Sequence, residues 1–267
     1  MSTVLIEPEQ LAAELDLPRR AIVDLCKPEV YAAGHIPGAV SLAFPSIVRV
    51  QAPVMGLLPD EAKLSAVLSE LGITPDSHVI AYDDEGGGKA SRFLWTLAAI
   101  GHKHWSLLNG GLHAWTGDGH PVTTTPSVAT PSEYPVRYIG EVVADRAYIL
   151  AHLKDNATAI VDARSPGEYN GTDVRAERGG HIPGAVNFDW QLGMDRDHNL
   201  RLRPAGALLP KLAPIGITPD KEVIAYCHTH HRSALTFVML KALGFERVRG
   251  YPGSWSDWGN RADTPIE

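Results

Sequence analysis

The chain has 267 residues, of which 44% are hydrophobic and 21% are charged, and its formal net charge is −7. This length suits two ordinary domains, and the negative balance argues against nucleic acid as the main partner. The sequence shows no apolar run long enough to cross a bilayer, and its two cysteines do not make a disulfide framework. We therefore expect a cytoplasmic protein that does not associate with membranes.

Three sequence blocks occur in both halves of the chain in the same order, which indicates a duplicated domain. The pairs are IVDLCKPEVYAAGHIPGAV (22–40) with IVDARSPGEYN…GGHIPGAV (160–186), LGITPDSHVIAYDD (71–84) with IGITPDKEVIAYCH (215–228), and LNGGLHAW (108–115) with YPGSWSDW (251–258). Between the copies lies a stretch rich in Thr, Ser and Pro, which is typical of an extended linker. The sequence therefore predicts domains at residues 1–122 and 138–267, joined by a linker at residues 123–137.

Short apolar runs alternate with helical patterns in each copy. HVIAYD (78–83) and EVIAYC (222–227) are predicted strands, and each precedes a helical pattern that ends in glycine, at 91–101 and 232–244. Continuous apolar strands that alternate with helices are typical of parallel sheets covered on both faces. The predicted fold class is α/β, with two tandem domains that each have a central parallel sheet and helices on both faces.

The second copy has a cysteine at the end of its buried strand. Cys227 is followed by four loop residues, and Arg232 begins the next predicted helix. A strand–loop–helix junction directs backbone N–H groups and a helix N-terminus at one point, so it stabilises anions and favours the thiolate. The guanidinium of Arg232 adds a fixed charge and a forked donor for an oxyanion. Cys227 is therefore the predicted nucleophile.

The loop histidines raise the alternative of a metal site, because a short Cys/His tract can bind zinc. Adjacent side chains in a tight loop diverge, and the sequence shows no second Cys/His pair at finger-like spacing. We therefore predict no metal. His228, Thr229, His230 and His231 are predicted to line the substrate site and to tune its charge.

These motifs resemble the rhodanese (thiosulfate sulfurtransferase) family over nearly the whole chain. The motifs are the two GHIPGAV segments, VDAR at 161–164, CHTHHR at 227–232 and GSWSDW at 253–258. The CHTHHR loop is similar to that of bacterial tandem-domain rhodaneses and differs from the CxxGVT loop of mercaptopyruvate sulfurtransferases. The resemblance implies two tandem rhodanese-like domains, of which only the second carries the catalytic cysteine.

The resemblance also implies the reaction and the residues that serve it. The Cys227 thiolate attacks the outer sulfur of thiosulfate and expels sulfite, and the persulfide passes its sulfur to cyanide, a thiol or a sulfur-accepting protein. The family's substrate-binding arginines correspond to Arg232 and Arg164, and Trp190 corresponds to an aromatic residue of the pocket. The resemblance implies no metal and no organic cofactor.

The first copy lacks these groups. Asp83 stands where Cys227 stands in the second copy, and Cys26 stands where Arg164 stands. The acidic, glycine-rich loop DDEGGGK would repel an anion. We therefore predict that the N-terminal domain is catalytically silent.

Three alternative functions stay open. The first is 3-mercaptopyruvate sulfurtransferase activity. The second is a phosphatase, since cell-cycle dual-specificity phosphatases share this fold but have one more residue between cysteine and arginine. The third is a non-enzymatic sulfur sensor. The shorter loop and the presence of Cys227, Arg232 and Arg164 in one copy favour sulfur transfer from thiosulfate.

Overall fold

The computed structural model describes residues 4–267, which form two compact units. The first unit contains residues 4–47, Pro59–Ile139 and Met194–Leu202; the second contains Val48–Leu58, Gly140–Gly193 and Arg203–Glu267. Both units therefore differ from the contiguous domains expected from the sequence, because each includes one short segment from the other half of the chain.

Strands and helices alternate through most of the chain. The strands are β1 Leu5–Ile6, β2 Arg20–Asp24, β3 Val40–Ser41, β4 Arg49–Gln51, β5 Val54–Leu57, β6 His78–Tyr82, β7 Trp105–Leu108, β8 Thr158–Asp162, β9 Val186–Asn187, β10 Met194–Asp195, β11 Arg201–Leu202, β12 Glu222–Tyr226 and β13 Val248–Gly250. The α-helices are α1 Pro8–Glu14, α2 Pro28–Ala33, α3 Glu61–Glu70, α4 Gly88–Ala99, α5 Gly111–Gly117, α6 Arg146–His152, α7 Pro166–Tyr169, α8 Ala205–Leu212, α9 Arg232–Ala242 and α10 Ser254–Trp258. Within residues 4–267, no helix combines the length and the apolar character that a membrane span requires.

The first unit is built on a five-stranded parallel sheet in the order β1-β7-β6-β2-β3. Strands β2 and β6 pair from Arg20 opposite His78 to Asp24 opposite Tyr82. Apolar side chains of this sheet and of α1 and α5 form one buried cluster, which includes Trp115. Helix α4 packs against β6 and β7 and is buried along most of its length.

The second unit repeats this arrangement with a four-stranded parallel sheet in the order β13-β12-β8-β9. Strands β8 and β12 pair in the same register as their counterparts, which places Asp162 opposite Tyr226. The predicted α/β class with two parallel sheets flanked by helices is therefore confirmed. The shared register also gives Asp24 and Asp162 equivalent positions at their strand ends.

The segment predicted as a linker is irregular but is anchored to the first unit. The Ser132 N–H donates to the Ser69 carbonyl at 2.9 Å, and the Ser132 hydroxyl donates to the Ile73 carbonyl at 2.5 Å. Tyr134 is buried, and its hydroxyl lies 2.8 Å from Nδ1 of His102. These hydrogen bonds hold residues 132–134 to the rest of the first unit, whereas composition alone predicted an extended linker.

Candidate active site

Cys227 directly follows β12 and is almost completely buried, with 1% of its surface exposed. Its backbone N–H donates to the Ser254 hydroxyl at 3.2 Å, and its carbonyl accepts from the Trp255 N–H at 2.9 Å. The first residues of α10 therefore fix both polar groups of the residue that carries the thiol.

The surroundings of Cys227 favour its thiolate. Burial raises the pKa of the thiol, but the positive charge of Arg232 and hydrogen bonds from Ser233 and Thr229 outweigh it, so the pKa lies below its ordinary value. Ser233 contributes both its hydroxyl and its backbone N–H, while Thr229 contributes its backbone N–H. A thiolate held by a cation and N–H groups at the start of α9 is the reactive form of cysteine.

The loop histidines differ in how deeply they are buried. His230 is completely buried, and its Nδ1 lies 2.7 Å from the Ser233 hydroxyl oxygen. When His230 carries its proton on Nδ1, it donates to that oxygen and leaves the hydroxyl proton for Cys227. His230 was predicted to line the substrate site; in the structure its side chain is enclosed within the protein. This orientation depends on its left-handed backbone, with φ 54°.

The other predicted loop residues, His228, Thr229 and His231, are partly exposed. Burial is the main cause that lowers the pKa of His228, so its ring is neutral near pH 7. The ring of His231 lies 6.2 Å from that of Trp190, which begins a short 3-10 helix at Trp190–Gly193. Trp190 therefore lies beside the loop that follows Cys227.

The guanidinium of Arg232 is held by Glu168. Nη1 donates to Oε2 at 2.6 Å and Nη2 donates to Oε1 at 2.8 Å. Glu168 is 1% exposed; burial raises the pKa of its carboxyl, but Arg232 reverses this and lowers it to about 2. A bidentate pair fixes the plane of the guanidinium as well as its position. Glu168 therefore determines how Arg232 faces Cys227.

The sequence reasoning missed Glu168. Its only local signal is the capping box Ser165-x-x-Glu168 at the start of α7, in which each side chain bonds the other's backbone N–H. That motif predicts a helix start, but it does not reveal a partner 64 residues away. Ser254 was missed for the same reason, since it lies 27 residues from Cys227. Ser233 lies close to Cys227 in the sequence, but its hydrogen bond to the thiol was not predicted.

Arg164 was predicted to bind the donor, and in the structure its guanidinium makes contacts within the protein. It is 2% exposed, and its Nη2 donates to Asp162 Oδ2 at 2.6 Å and to the Gly180 carbonyl at 2.7 Å. Its Nε also contacts the Asp162 carboxylate at 3.0 Å, and its guanidinium carbon lies 4.3 Å from the ring centre of Trp255. A buried cation requires such a counter-charge. This geometry favours a supporting role at the end of β8.

The first unit has a carboxylate in the equivalent loop. Asp83 is completely buried, and its carboxylate accepts backbone N–H groups of Glu85 at 3.0 Å, Gly87 at 2.8 Å and Ala90 at 2.9 Å. Cys26 is also buried, and burial together with Asp24 raises the pKa of its thiol far above the ordinary value. The first unit therefore has a carboxylate at the position of Cys227, and the thiol of Cys26 stays protonated.

Comparison with known proteins matches the family model "Rhodanese-like domain" to residues 7–118 and 145–261. The chain is 46% identical to a thiosulfate sulfurtransferase of Pseudomonas aeruginosa, over 99% of this chain and 97% of the relative. It is 45% identical to a thiosulfate sulfurtransferase of Azotobacter vinelandii, with the same coverage. It is 33% identical to the sulfur carrier protein TtuD of Thermus thermophilus, over 98% of this chain and 96% of the relative.

Solved structures show the same fold. SseA from Escherichia coli, a 3-mercaptopyruvate sulfotransferase, is similar with a TM-score of 0.84 and 27% identity, over 95% of this chain and 99% of that chain. The anaerobic ergothioneine biosynthesis enzyme from Chlorobium limicola has a TM-score of 0.86 and 24% identity, over 99% of this chain and 70% of that chain. The second likeness concerns the fold alone.

Proposed function

This chain belongs to the rhodanese family, and from that premise we propose that it is a thiosulfate sulfurtransferase in which Cys227 carries the sulfur. The observation that carries the proposal is the buried Cys227 at the junction of β12 and α9, beside the charge of Arg232 and the donors of Ser233 and Thr229. Two relatives with 46% and 45% identity over almost the full chain, both thiosulfate sulfurtransferases, support the same donor.

In the first step the Cys227 thiolate attacks the outer sulfur of thiosulfate. A new sulfur–sulfur bond forms, the bond inside thiosulfate breaks, and sulfite leaves with the electron pair. In the second step cyanide or a thiolate attacks the outer sulfur of the persulfide, which yields thiocyanate or a new persulfide and restores the Cys227 thiolate. Neither step requires an oxidant or a proton from a general acid.

The surrounding residues stabilise the anions of both steps. Backbone N–H groups of the loop and the Arg232 guanidinium favour the charge on sulfur and on the departing sulfite. Glu168 keeps the guanidinium in place, while Trp190, His228, Thr229 and His231 line the donor's path. We assign Arg164 to the support of this loop, because Asp162 and Gly180 already engage its guanidinium.

The acceptor is either cyanide, a small thiol or a sulfur-accepting protein. The relationship to a sulfur carrier protein, at 33% identity, supports a protein acceptor as one route. Both cysteines are free. A reducing compartment keeps a thiol available for this chemistry, which supports the expected cytoplasmic location.

Turnover of thiosulfate and cyanide to thiocyanate tests the proposal. Cys227→Ser should lower turnover by at least about a thousandfold, because it removes the nucleophile. The matched control, Cys26→Ser, should keep wild-type activity. Two results would contradict the proposal: turnover that persists in Cys227→Ser, or a wild-type protein that prefers 3-mercaptopyruvate or an aryl phosphate to thiosulfate.

A further inference from the structure

The hairpin formed by β4 and β5 belongs to the second unit although it comes from the first half of the chain. It is attached to α10, because the Met55 N–H donates to the Ser256 hydroxyl at 3.2 Å. The next residue, Gly56, is buried. The hairpin therefore holds one small, enclosed residue beside α10, whose first residues bond to Cys227.

Gly56 lies directly against the backbone of the Cys227 loop. A side chain at Gly56 would overlap the carbonyl group of Thr229 and would come within 2.5 Å of the carbonyl oxygen of Pro252. The backbone of Gly56 is not in the left-handed region, so the close approach of the two chains, rather than a conformational need, excludes a larger residue there.

The Thr229 carbonyl is connected to the thiol through a short series of contacts. It belongs to the peptide before His230, whose left-handed backbone is costly for a residue other than glycine. That conformation places the buried His230 ring against the hydroxyl of Ser233. The Ser233 hydroxyl is in turn one of the groups that favour the Cys227 thiolate. A strained residue of this kind persists only where its surroundings hold it.

We infer that Gly56 and the β4–β5 hairpin are a positioning element for the Cys227 loop. Contact with Gly56 fixes the Thr229 carbonyl and keeps His230 in its left-handed conformation. The donors of Ser233 and Thr229 then stay directed at the sulfur. This inference rests on the proposed function only in taking Cys227 as the reactive thiol.

The test compares Gly56→Ala with Gly206→Ala. Gly206 lies in α8, and an added methyl group there would meet no heavy atom within 4 Å. The rate of Cys227 alkylation by iodoacetamide is followed against pH, with the modified peptide identified by mass spectrometry. Gly56→Ala should raise the apparent pKa of Cys227 by about one unit, which is roughly tenfold less thiolate below the pKa. Gly206→Ala should titrate as wild type.

A second variant covers the case in which Gly56→Ala does not fold. Ser256→Ala removes the oxygen that accepts from Met55 and adds no atoms, so it should raise the apparent pKa of Cys227 by a smaller amount. A folded Gly56→Ala with a wild-type titration would overturn the inference, and so would an unfolded Gly56→Ala together with an unchanged Ser256→Ala. Alkylation needs no sulfur donor, so this test can be interpreted even if the protein is inactive toward thiosulfate. Such inactivity would refute the proposed function alone.

Discussion

The loops that follow β6 and β12 both direct backbone N–H groups at their first residue, yet that residue differs. In the first unit the Asp83 carboxylate accepts three of these groups. In the second unit the Cys227 sulfur lies among the donors of Thr229 and Ser233. We call this arrangement of donors around the residue that follows the strand, Asp83 or Cys227, the cradle. Both units have a cradle, and the residue that it surrounds decides whether it holds a fixed anion or a nucleophile.

A second difference lies at the ends of β2 and β8. Asp24 and Asp162 occupy equivalent positions, and each accepts the backbone N–H two residues on, from Cys26 at 2.6 Å and from Arg164 at 3.0 Å. Asp162 has an ion-pair partner, Arg164, at 2.6 Å, whereas Asp24 has none among residues 4–267. Burial raises the pKa of Asp24. The second unit therefore carries a buried charge pair where the first carries a carboxyl and a thiol.

The largest expected effect concerns this pair. Arg164→Ala leaves the Asp162 carboxylate buried without its counter-charge, so the free energy of unfolding should fall by about 3–5 kcal/mol. Cys26→Ala, at the equivalent position of the first unit, removes only a small buried group and should cost about 1 kcal/mol. Urea unfolding measures both. A stable Arg164→Ala with a raised KM for thiosulfate would instead return Arg164 to its predicted role in binding the donor.

Glu168 offers a test of the Arg232 geometry. Glu168→Ala frees the guanidinium from its bidentate partner, and loss of a charged hydrogen bond of about 1.5–3 kcal/mol corresponds to a decrease in kcat/KM of roughly 10- to 150-fold. Steady-state kinetics with thiosulfate and cyanide measures this change. An increase in kcat/KM would show that Glu168 mainly offsets the charge of Arg232 and does not position it.

Ser254 and its counterpart Gly111 both have left-handed backbones, with φ of 49° and 57°. We expect Ser254→Gly to lose the hydrogen bond to Cys227 but to relieve the backbone strain, so it should destabilise the protein by less than about 2 kcal/mol. Ser254→Ala keeps the strain and should be less stable than Ser254→Gly by about 1 kcal/mol. Thermal unfolding distinguishes the two. Equal stabilities would show that the left-handed backbone costs little here.

The smallest expected effect is in the first loop. Asp83→Cys combined with Cys227→Ser places a thiol in the first cradle, but Asp84 and Glu85 remain beside it and disfavour the thiolate. This double variant should form no persulfide above background when it is mixed with thiosulfate. Activity near wild type would mean that the cradle alone suffices, and that the acidic loop does not silence the first unit.

Much of this organisation could be predicted from the sequence. The repeated blocks and the strand–helix alternation predicted both parallel sheets, because short apolar strands have few other ways to bury two faces. Cys227 and Arg232 were predicted to lie at one strand–helix junction, which is a local feature. Two other features depend on contacts between residues that are distant in sequence. They are the pairing of Glu168 with Arg232 and the inclusion of Val48–Leu58 in the second unit. No local pattern reports those contacts.

Arg164 shows a different limit. A match to a family arginine predicted a substrate contact, but a residue type does not reveal whether its charge is already compensated. The Asp162 carboxylate two residues earlier was visible in the sequence and was interpreted as a loop acceptor only. The structure shows that this carboxylate and Arg164, two residues apart, form a buried ion pair.

Mass spectrometry of the intact protein after treatment with thiosulfate, followed by peptide mapping, tests the central claim most directly. We predict one added sulfur atom per chain, located on Cys227, absent from Cys26 and removed by cyanide. Cys227→Ser should gain none. Sulfur on Cys26, or an unmodified Cys227 in protein that still converts thiosulfate and cyanide to thiocyanate, would contradict the assignment of the second cradle as the active one.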